Sequence, residues 1–259
     1  EALTVARHRS AFNHTIIDYP LLRRQLVKLI VPAEQALSMA FAAADAMGRA
    51  QTGSAEAEAE LRILTPLLKL RACRDNVPVA TGAMEVRGGN GYIEDWVNAR
   101  LIRDAQIGLL WEGTSNINAL DVITRAVGKA QGHRALQALL RRRLGNASPL
   151  PDGLRNGLEA ALDRAVTLAE RVAAGGAETQ ARRAATALYD AASAVLLAWE
   201  GSQPGADARR ALIARFVLSH RLSPRDPLAL EDAPGEEAAM AMLLGDRPVA
   251  LSEVASVAP

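Results

Sequence analysis

The sequence predicts an all-α protein, and three observations carry that expectation. Alanine, the strongest intrinsic helix former, supplies 52 of 259 residues. Apolar residues recur at steps of three and four along most of the chain, the spacing that lines one helix face. Aromatic residues are only 3% of the chain, and β-branched residues are scattered, so no segment gathers the side chains that favour a sheet.

The elements follow in order. Glu1 to Arg9 (EALTVARHR) reads as the last turns of a helix, and a first residue that is not Met leads to the expectation of a piece of a longer product. Asp18 is a candidate N-cap with Pro20 just inside, where a fixed φ and a missing N–H cost nothing. The helix it opens is expected to reach Ala50, with Leu22, Leu26, Leu29, Ala33, Leu37, Ala40, Ala44 and Met47 as its packing stripe and a kink at Pro32. Gly53-Ser54 opens a second long helix carrying Leu61, Leu64, Leu68 and Ala72, with distortions expected at Pro66 and Pro78. It stops at Arg87-Gly88-Gly89-Asn90-Gly91, because glycine reaches positive φ without a Cβ clash. A short amphipathic segment, Trp96 to Ala105, precedes a helix from Asn116 to Val127 with Thr114 or Ser115 as N-cap. Residues 130–222 read as three or four further helices, broken at 146–151, 175–176 and 201–205. The last 37 residues are rich in Pro and Ala, with one helical candidate from Glu236 to Leu244.

Composition excludes several classes. Thirty Lys and Arg against 29 Asp and Glu leave a net charge of +1, which gives no electrostatic reason for bulk nucleic-acid or anionic-membrane binding. Cys73 alone cannot form an internal disulfide, so a cytoplasmic setting is expected. Beyond a loose pair near the start, His8, His14, His133 and His220 share no helical face, and no metal site is expected. Arg, Asp or Gln interrupts the apolar runs, so no membrane span is expected, and the amino end lacks a signal-peptide pattern. Of the 30 basic residues 27 are Arg, which with the alanine content fits a GC-rich bacterial genome.

Few residues stand out chemically. The glycine cluster fails as a dinucleotide fingerprint, since Glu94 occupies the third glycine position counted from Gly89. Cys73, on the apolar side of its helix, is expected in the core. Arg141-Arg142-Arg143 reads as a solvated helix face, because residues 130–259 hold 15 Arg against 15 Asp and Glu. Glu112, between Leu109-Leu110-Trp111 and Gly113, has two readings. Its apolar neighbours would desolvate it and raise its pKa toward general-base range, or it is a surface acid favoured by a helix dipole.

A resemblance bears on that choice. Ala83 to Lys129, with G-G-N-G-Y, R-D-A and W-E-G-T, resembles the signature region of flavin-dependent acyl-CoA dehydrogenases. His8 to Leu29 (HRSAFNHTIIDYPLLRRQLVKL) is similar to the family segment after the first helix of the carboxy-terminal bundle. The resemblance covers roughly residues 1–129. It implies a four-helix bundle there, followed by a second helical subdomain over 130–259. Trp111, Thr65-Pro66, Leu120-Asp121-Val122 and the tail look like the branch that includes the alkylation-response protein.

The resemblance also implies roles. Glu112 matches the base that removes the α-proton of an acyl-CoA thioester, and Gly113 would let the thioester approach. Arg9 matches the arginine that reaches the FAD pyrophosphate of a neighbouring subunit, and Phe12 matches an aromatic of the same segment. Glu85, Gly88 and Gly89 match the stretch along the partner's adenosine, and Thr114 and Asn116 match the pair after the base that touches the adenylate half. The implied partners are acyl-CoA, further copies in a dimer or tetramer, and an electron-accepting flavoprotein. Ala11, Asn13, Pro20, Glu85 and Asn116 depart from the family's usual Thr, Gly, Gln, Gln and Gln. Glu85 sets a carboxylate beside a phosphate-bearing cofactor, with Arg87 as its expected counter-charge. Because the family's β-domain lies outside these residues, no dehydrogenase activity is expected of residues 1–259 alone. The alternative is a non-catalytic DNA-binding, protein-binding or assembly role, with DNA disfavoured by the tail's charge balance.

Overall fold

The computed structural model describes residues 1–257 apart from 148, 176, 225, 227 and 231–233. Gly176, one of the expected breakers, therefore lies outside the described residues, as do parts of the Pro-rich tail. Among the described residues there are eleven α-helices and one two-stranded hairpin, an all-α architecture.

Helix α1 (Ala2–His8) leads into the hairpin of β1 (Ser10–Ala11) and β2 (His14–Thr15). Its two turn residues, Phe12 and Asn13, have φ of 51° and 67°, the left-handed pair that matches the twist of a tight hairpin. The Tyr19 hydroxyl holds the turn by donating to the Ala11 carbonyl at 2.8 Å. Asp18 belongs to a 3-10 turn and Tyr19 occupies the N-cap position, one residue later than expected, with Pro20 opening the helix.

Helices α2 (Pro20–Gln51) and α3 (Ala55–Arg87) form the long central pair. Ser54 caps α3, its hydroxyl accepting from the Ala57 N–H at 3.2 Å. Both helices run unbroken through Pro32, Pro66 and Pro78. Pro32 and Pro66 are buried, so packing against neighbours offsets the backbone hydrogen bond each proline removes.

The expected stripe on α2 holds for its first half only. Leu26 is buried, but Ala33, Leu37, Ala40, Ala44 and Met47 are exposed, and the buried face is instead Val31, Gln35, Ser38, Met39 and Ala46. Alanine on every side makes the apolar pattern ambiguous, and the polar Gln35 and Ser38 decide the rotation by bonding inward. The membrane expectation also needs correction. One window of α2 reaches a mean hydropathy of 1.4, so this helix is long and apolar enough to cross a membrane. Here it is a packed helix, with 39% of that window buried.

Helices α4 (Asn98–Ile107) and α5 (Ser115–Leu120) follow, and α5 continues as a π-helical turn over Asp121–Val127. Beyond it come α6 (Gly132–Gly145), α7 (Asp152–Ala173), α8 (Ala181–Gly201) and α9 (Arg209–Val217), the last extended by a π turn at Leu218–Leu222. Two short helices, α10 (Glu236–Leu244) and α11 (Leu251–Ser256), complete the order.

Helix α8 is the hub: 15 of its 21 residues are buried, the pattern of a helix surrounded on all sides. It packs against α2, α6, α7 and α9. One hydrophobic core therefore runs across residue 129, joining Met39 and Leu64 to Leu140 and Leu197. A polar network lies inside it. Gln35 donates to Asp190 Oδ1 at 3.1 Å and to Ser193 Oγ at 2.7 Å, while Arg221 bridges Asp75 (3.4 Å) and Asp190 (3.2 Å).

Candidate functional site

The residues singled out by sequence fall into two groups, one at each end of the second half of α3. The first group is the corner where α1 and the hairpin meet the end of α3. Arg9 Nη1 donates to the Val86 carbonyl at 2.9 Å. Gly88 ends the helix at φ 72°, and a Cβ there would lie 2.9 Å from both terminal nitrogens of Arg9. Glycine is thus required twice over, by the backbone and by the guanidinium above it. Gly89 has open space around it. Phe12, at the hairpin tip, is 90% exposed.

Glu85 is held differently from the expectation. Its Oε2 accepts from Gln25 Nε2 at 2.7 Å. Arg87 instead donates to Asn98 Oδ1 at 2.9 Å, pairs with Glu1 and lies 4.1 Å above the Trp96 ring. Residues two apart on a helix point to different faces, so Glu85 and Arg87 cannot readily meet. The corner thus presents a carboxylate held by a neutral amide and, separately, the Arg9 cation bonded to the Val86 carbonyl.

The second group is the turn after α4. Glu112 (φ 50°) and Gly113 (φ 95°) are consecutive left-handed residues. For a glutamate that conformation persists only when its surroundings impose it. Asn118 imposes it by donating from Nδ2 to the carbonyls of Gly113 (2.7 Å) and Thr114 (3.1 Å). Lys69 fixes the other side of the turn, donating from Nζ to the Gly108 carbonyl at 2.7 Å. Arg74 donates to Ser115 Oγ at 3.2 Å. Thr114 occupies the N-cap position of α5 without a side-chain cap bond, and Asn116 is exposed.

Glu112 is itself exposed, so the desolvated setting expected from Leu110 and Trp111 is not present in this chain: both of those side chains point out, at 65% and 60% exposure. Glu112 instead edges a groove of about 820 Å³ whose apolar wall includes Leu61, Pro66, Leu68 and Cys73. Cys73 is half-buried on that wall, 3.7 Å from Lys69 Nζ, and not in the closed core. Lys69, Arg74 and Asn118 were not singled out by sequence. Lys69 and Arg74 meet their partners across 39 and 41 residues, so no local pattern marks them.

Sixteen residues of α3 separate Ala72, beside Glu112, from Gly88, beside Arg9. At 1.5 Å per residue the two groups stand roughly 24 Å apart. They do not form one site within a single chain. No group of three or more His, Cys, Asp or Glu that could hold a metal occurs among the described residues.

A family model described as "Acyl-CoA dehydrogenase, C-terminal domain" matches residues 1–128. The chain is 36% identical over 154 residues to acyl-CoA dehydrogenase family member 11 of Caenorhabditis elegans, covering 59% of this chain and 25% of that protein. It is 35% identical over 133 residues to the putative acyl-CoA dehydrogenase AidB of Escherichia coli, covering 51% and 24%. The chain thus spans about a quarter of the length of these relatives. The crystal structure of C. elegans ACDH-11 in complex with C11-CoA superposes with a TM-score of 0.77 at 29% identity, over 85% of this chain and 39% of that one. A Bacillus anthracis acyl-CoA dehydrogenase complexed with FAD shares the fold, at TM-score 0.61 and 15% identity, over 99% of this chain and 51% of that one. Through residues 1–128, which form the family's carboxy-terminal helical domain, the chain belongs to the acyl-CoA dehydrogenases.

Proposed function

We propose that this chain contributes the catalytic base and part of the cofactor surface to an FAD-dependent acyl-CoA dehydrogenase. The observation that carries the reading is the strained, doubly pinned turn at Glu112-Gly113 beside an apolar groove. An α-proton next to a thioester is a weak acid, so its removal needs a carboxylate held in one place. Asn118 and Lys69 supply that placement, and Gly113 leaves the approach to the carboxylate free of a side chain. Bound flavin would supply the hydride acceptor at the β-carbon. An acyl-CoA laid over the exposed carboxylate would exclude water from it and raise its basicity.

The Arg9 corner suits a pyrophosphate. Its guanidinium keeps donors beyond the one spent on Val86, and Gly88 and Gly89 bare the backbone beside it. With Glu85 and Phe12, this surface would hold the adenosine half of FAD, while Thr114 and Asn116, beside the base, would touch the adenylate half at the other group. The roughly 24 Å between the groups supports a reading in which they serve different cofactors, as they would in a homo-oligomer where each subunit completes its neighbour's site. The exposed apolar residues of α2, Leu37, Phe41 and Met47, offer a face for such contact. Electrons would leave through a second flavoprotein.

The test is Glu112→Gln in the protein expressed from its full reading frame. Flavin absorbance should be retained and acyl-CoA oxidation should fall by about 10²–10⁴-fold, the usual contribution of a positioned base. Unchanged turnover would remove Glu112 from the role. Residues 1–259 alone should show no turnover.

A further inference from the structure

A groove of about 860 Å³ between α7, α8 and the turn after Leu222 takes no part in the reading above. Its floor is small and apolar, made by Ala161, Ala165, Leu168, Ala187 and Leu222. Its walls carry Arg164 and Arg171 from α7, Arg182 and Arg183 from α8, and Arg221. Two of these are engaged: Arg221 with Asp75 and Asp190, and Arg183 with the Gln180 side-chain oxygen at 3.4 Å. Arg164, Arg171 and Arg182 have no hydrogen-bond or ion-pair partner among the described residues.

The carboxylates in the groove do not compensate. Asp163 accepts from Arg141 at 2.7 Å and from Gln137 at 3.0 Å, and Asp190 is buried with Arg221 and Gln35. The excess of positive charge reaches a neighbouring group. Arg74 is held below its ordinary value by burial first, then by repulsion from Arg182 and Arg71. Elsewhere in the tail most arginines are engaged: Arg142 pairs with Glu56, Arg209 with Asp207, Arg210 with Glu34 and Glu200, and Arg247 with Glu253, while Arg143 stacks on Trp199 and Arg215 donates to the Pro234 carbonyl. Three unpaired guanidinia around one apolar floor depart from that habit.

We infer that this groove binds a small phosphate-bearing anion of nucleoside diphosphate size, with its phosphates against Arg164, Arg171 and Arg182 and its apolar part on the alanine-lined floor. Guanidinium forks match phosphate oxygens in geometry as well as charge. The volume falls within the roughly 300–1,000 Å³ of small-molecule sites. A long polyanion fits less well, because other arginines of the tail, Arg141, Arg142, Arg209 and Arg210, are already paired with carboxylates.

The experiment is calorimetric titration of this chain with ADP and with inorganic pyrophosphate at low salt. ADP is expected to bind, to weaken as salt is raised, and to lose at least tenfold in affinity in the Arg164→Gln/Arg171→Gln/Arg182→Gln variant. Arg100→Gln, which removes an exposed cation of α4 outside the groove, should leave it unchanged. Should the triple variant fail to fold, the single Arg171→Glu change at an exposed position carries the same tenfold expectation. Three results would overturn the inference: no binding of either probe, no loss in the triple variant beyond that in Arg100→Gln, or binding of duplex DNA with neither small probe bound.

Discussion

Residues 1–128 and the tail that follows treat their large apolar side chains in opposite ways. Of the 15 exposed large hydrophobic residues among the described ones, 13 lie in the first stretch, from Phe12 and Leu21 through Phe41 and Trp96 to Trp111 and Ile117. In the tail only Leu228 and Leu230 are exposed, while Tyr189, Leu140 and Leu212 are sealed. Exposed apolar side chains in such number mark surface meant to be covered. The tail is closed around α8, whereas the first stretch presents the faces that would meet a cofactor, a substrate and other subunits. That asymmetry explains why Glu112 is exposed here although its proposed chemistry calls for a dry setting.

The largest effect is expected where the two stretches are joined. Arg221→Met leaves Asp190 buried without its cation, and breaking such a pair costs about 3–5 kcal/mol. Burial already holds the Asp190 carboxyl above its ordinary range. Folding therefore disfavours its charged form relative to the unfolded chain, so the fold gains stability from this group at low pH and loses that gain as pH rises through the raised value. Urea unfolding should accordingly find the deficit of the variant largest near neutrality and smaller in acid; a deficit independent of pH would contradict this.

Two substitutions sharpen the comparison directly. Leu188→Ala in the closed tail opens a cavity and should cost about 2–5 kcal/mol. Phe41→Ser on the open face of α2 should change stability by under about 0.5 kcal/mol, while sedimentation shows weaker subunit association. Equal destabilisation by both would break the distinction. The smallest effect concerns α11. Glu253 is bound by the Arg247 side chain and the Ala250 N–H, which pull its pKa down to about 2. A lowered acid contributes above its unfolded value and loses that contribution as pH falls toward 2. Hydrogen exchange should therefore show α11 fraying below about pH 4.5 in the native chain. Glu253→Gln should fray at every pH.

Much of this fold is legible in the sequence. Gly53-Ser54, the Gly88 stop, the breaks near 146–151 and 201–205 and the Glu236–Leu244 helix are punctuation with local causes, and the structure has them. What could not be read arises from distance along the chain. Gln35 and Ser38 turn the buried face of α2 by bonding to residues 155–162 positions away. The hairpin turn at Phe12-Asn13 lacks the glycine that signals such turns, and the π turns at Asp121–Val127 and Leu218–Leu222 have no sequence mark. At the site, the motif singled out Glu112 and Gly113. The residues that strain and pin them, Lys69 and Asn118, became visible only when the chain folded.

The most direct test of the asymmetry is hydroxyl-radical footprinting of this chain beside the protein expressed from its full reading frame with flavin present. Phe12, Phe41, Trp96 and Trp111 should be strongly protected in the protein from the full reading frame, with Leu228 and Leu230 reacting equally in both. Equal reactivity of those four aromatic residues in the two samples would contradict it.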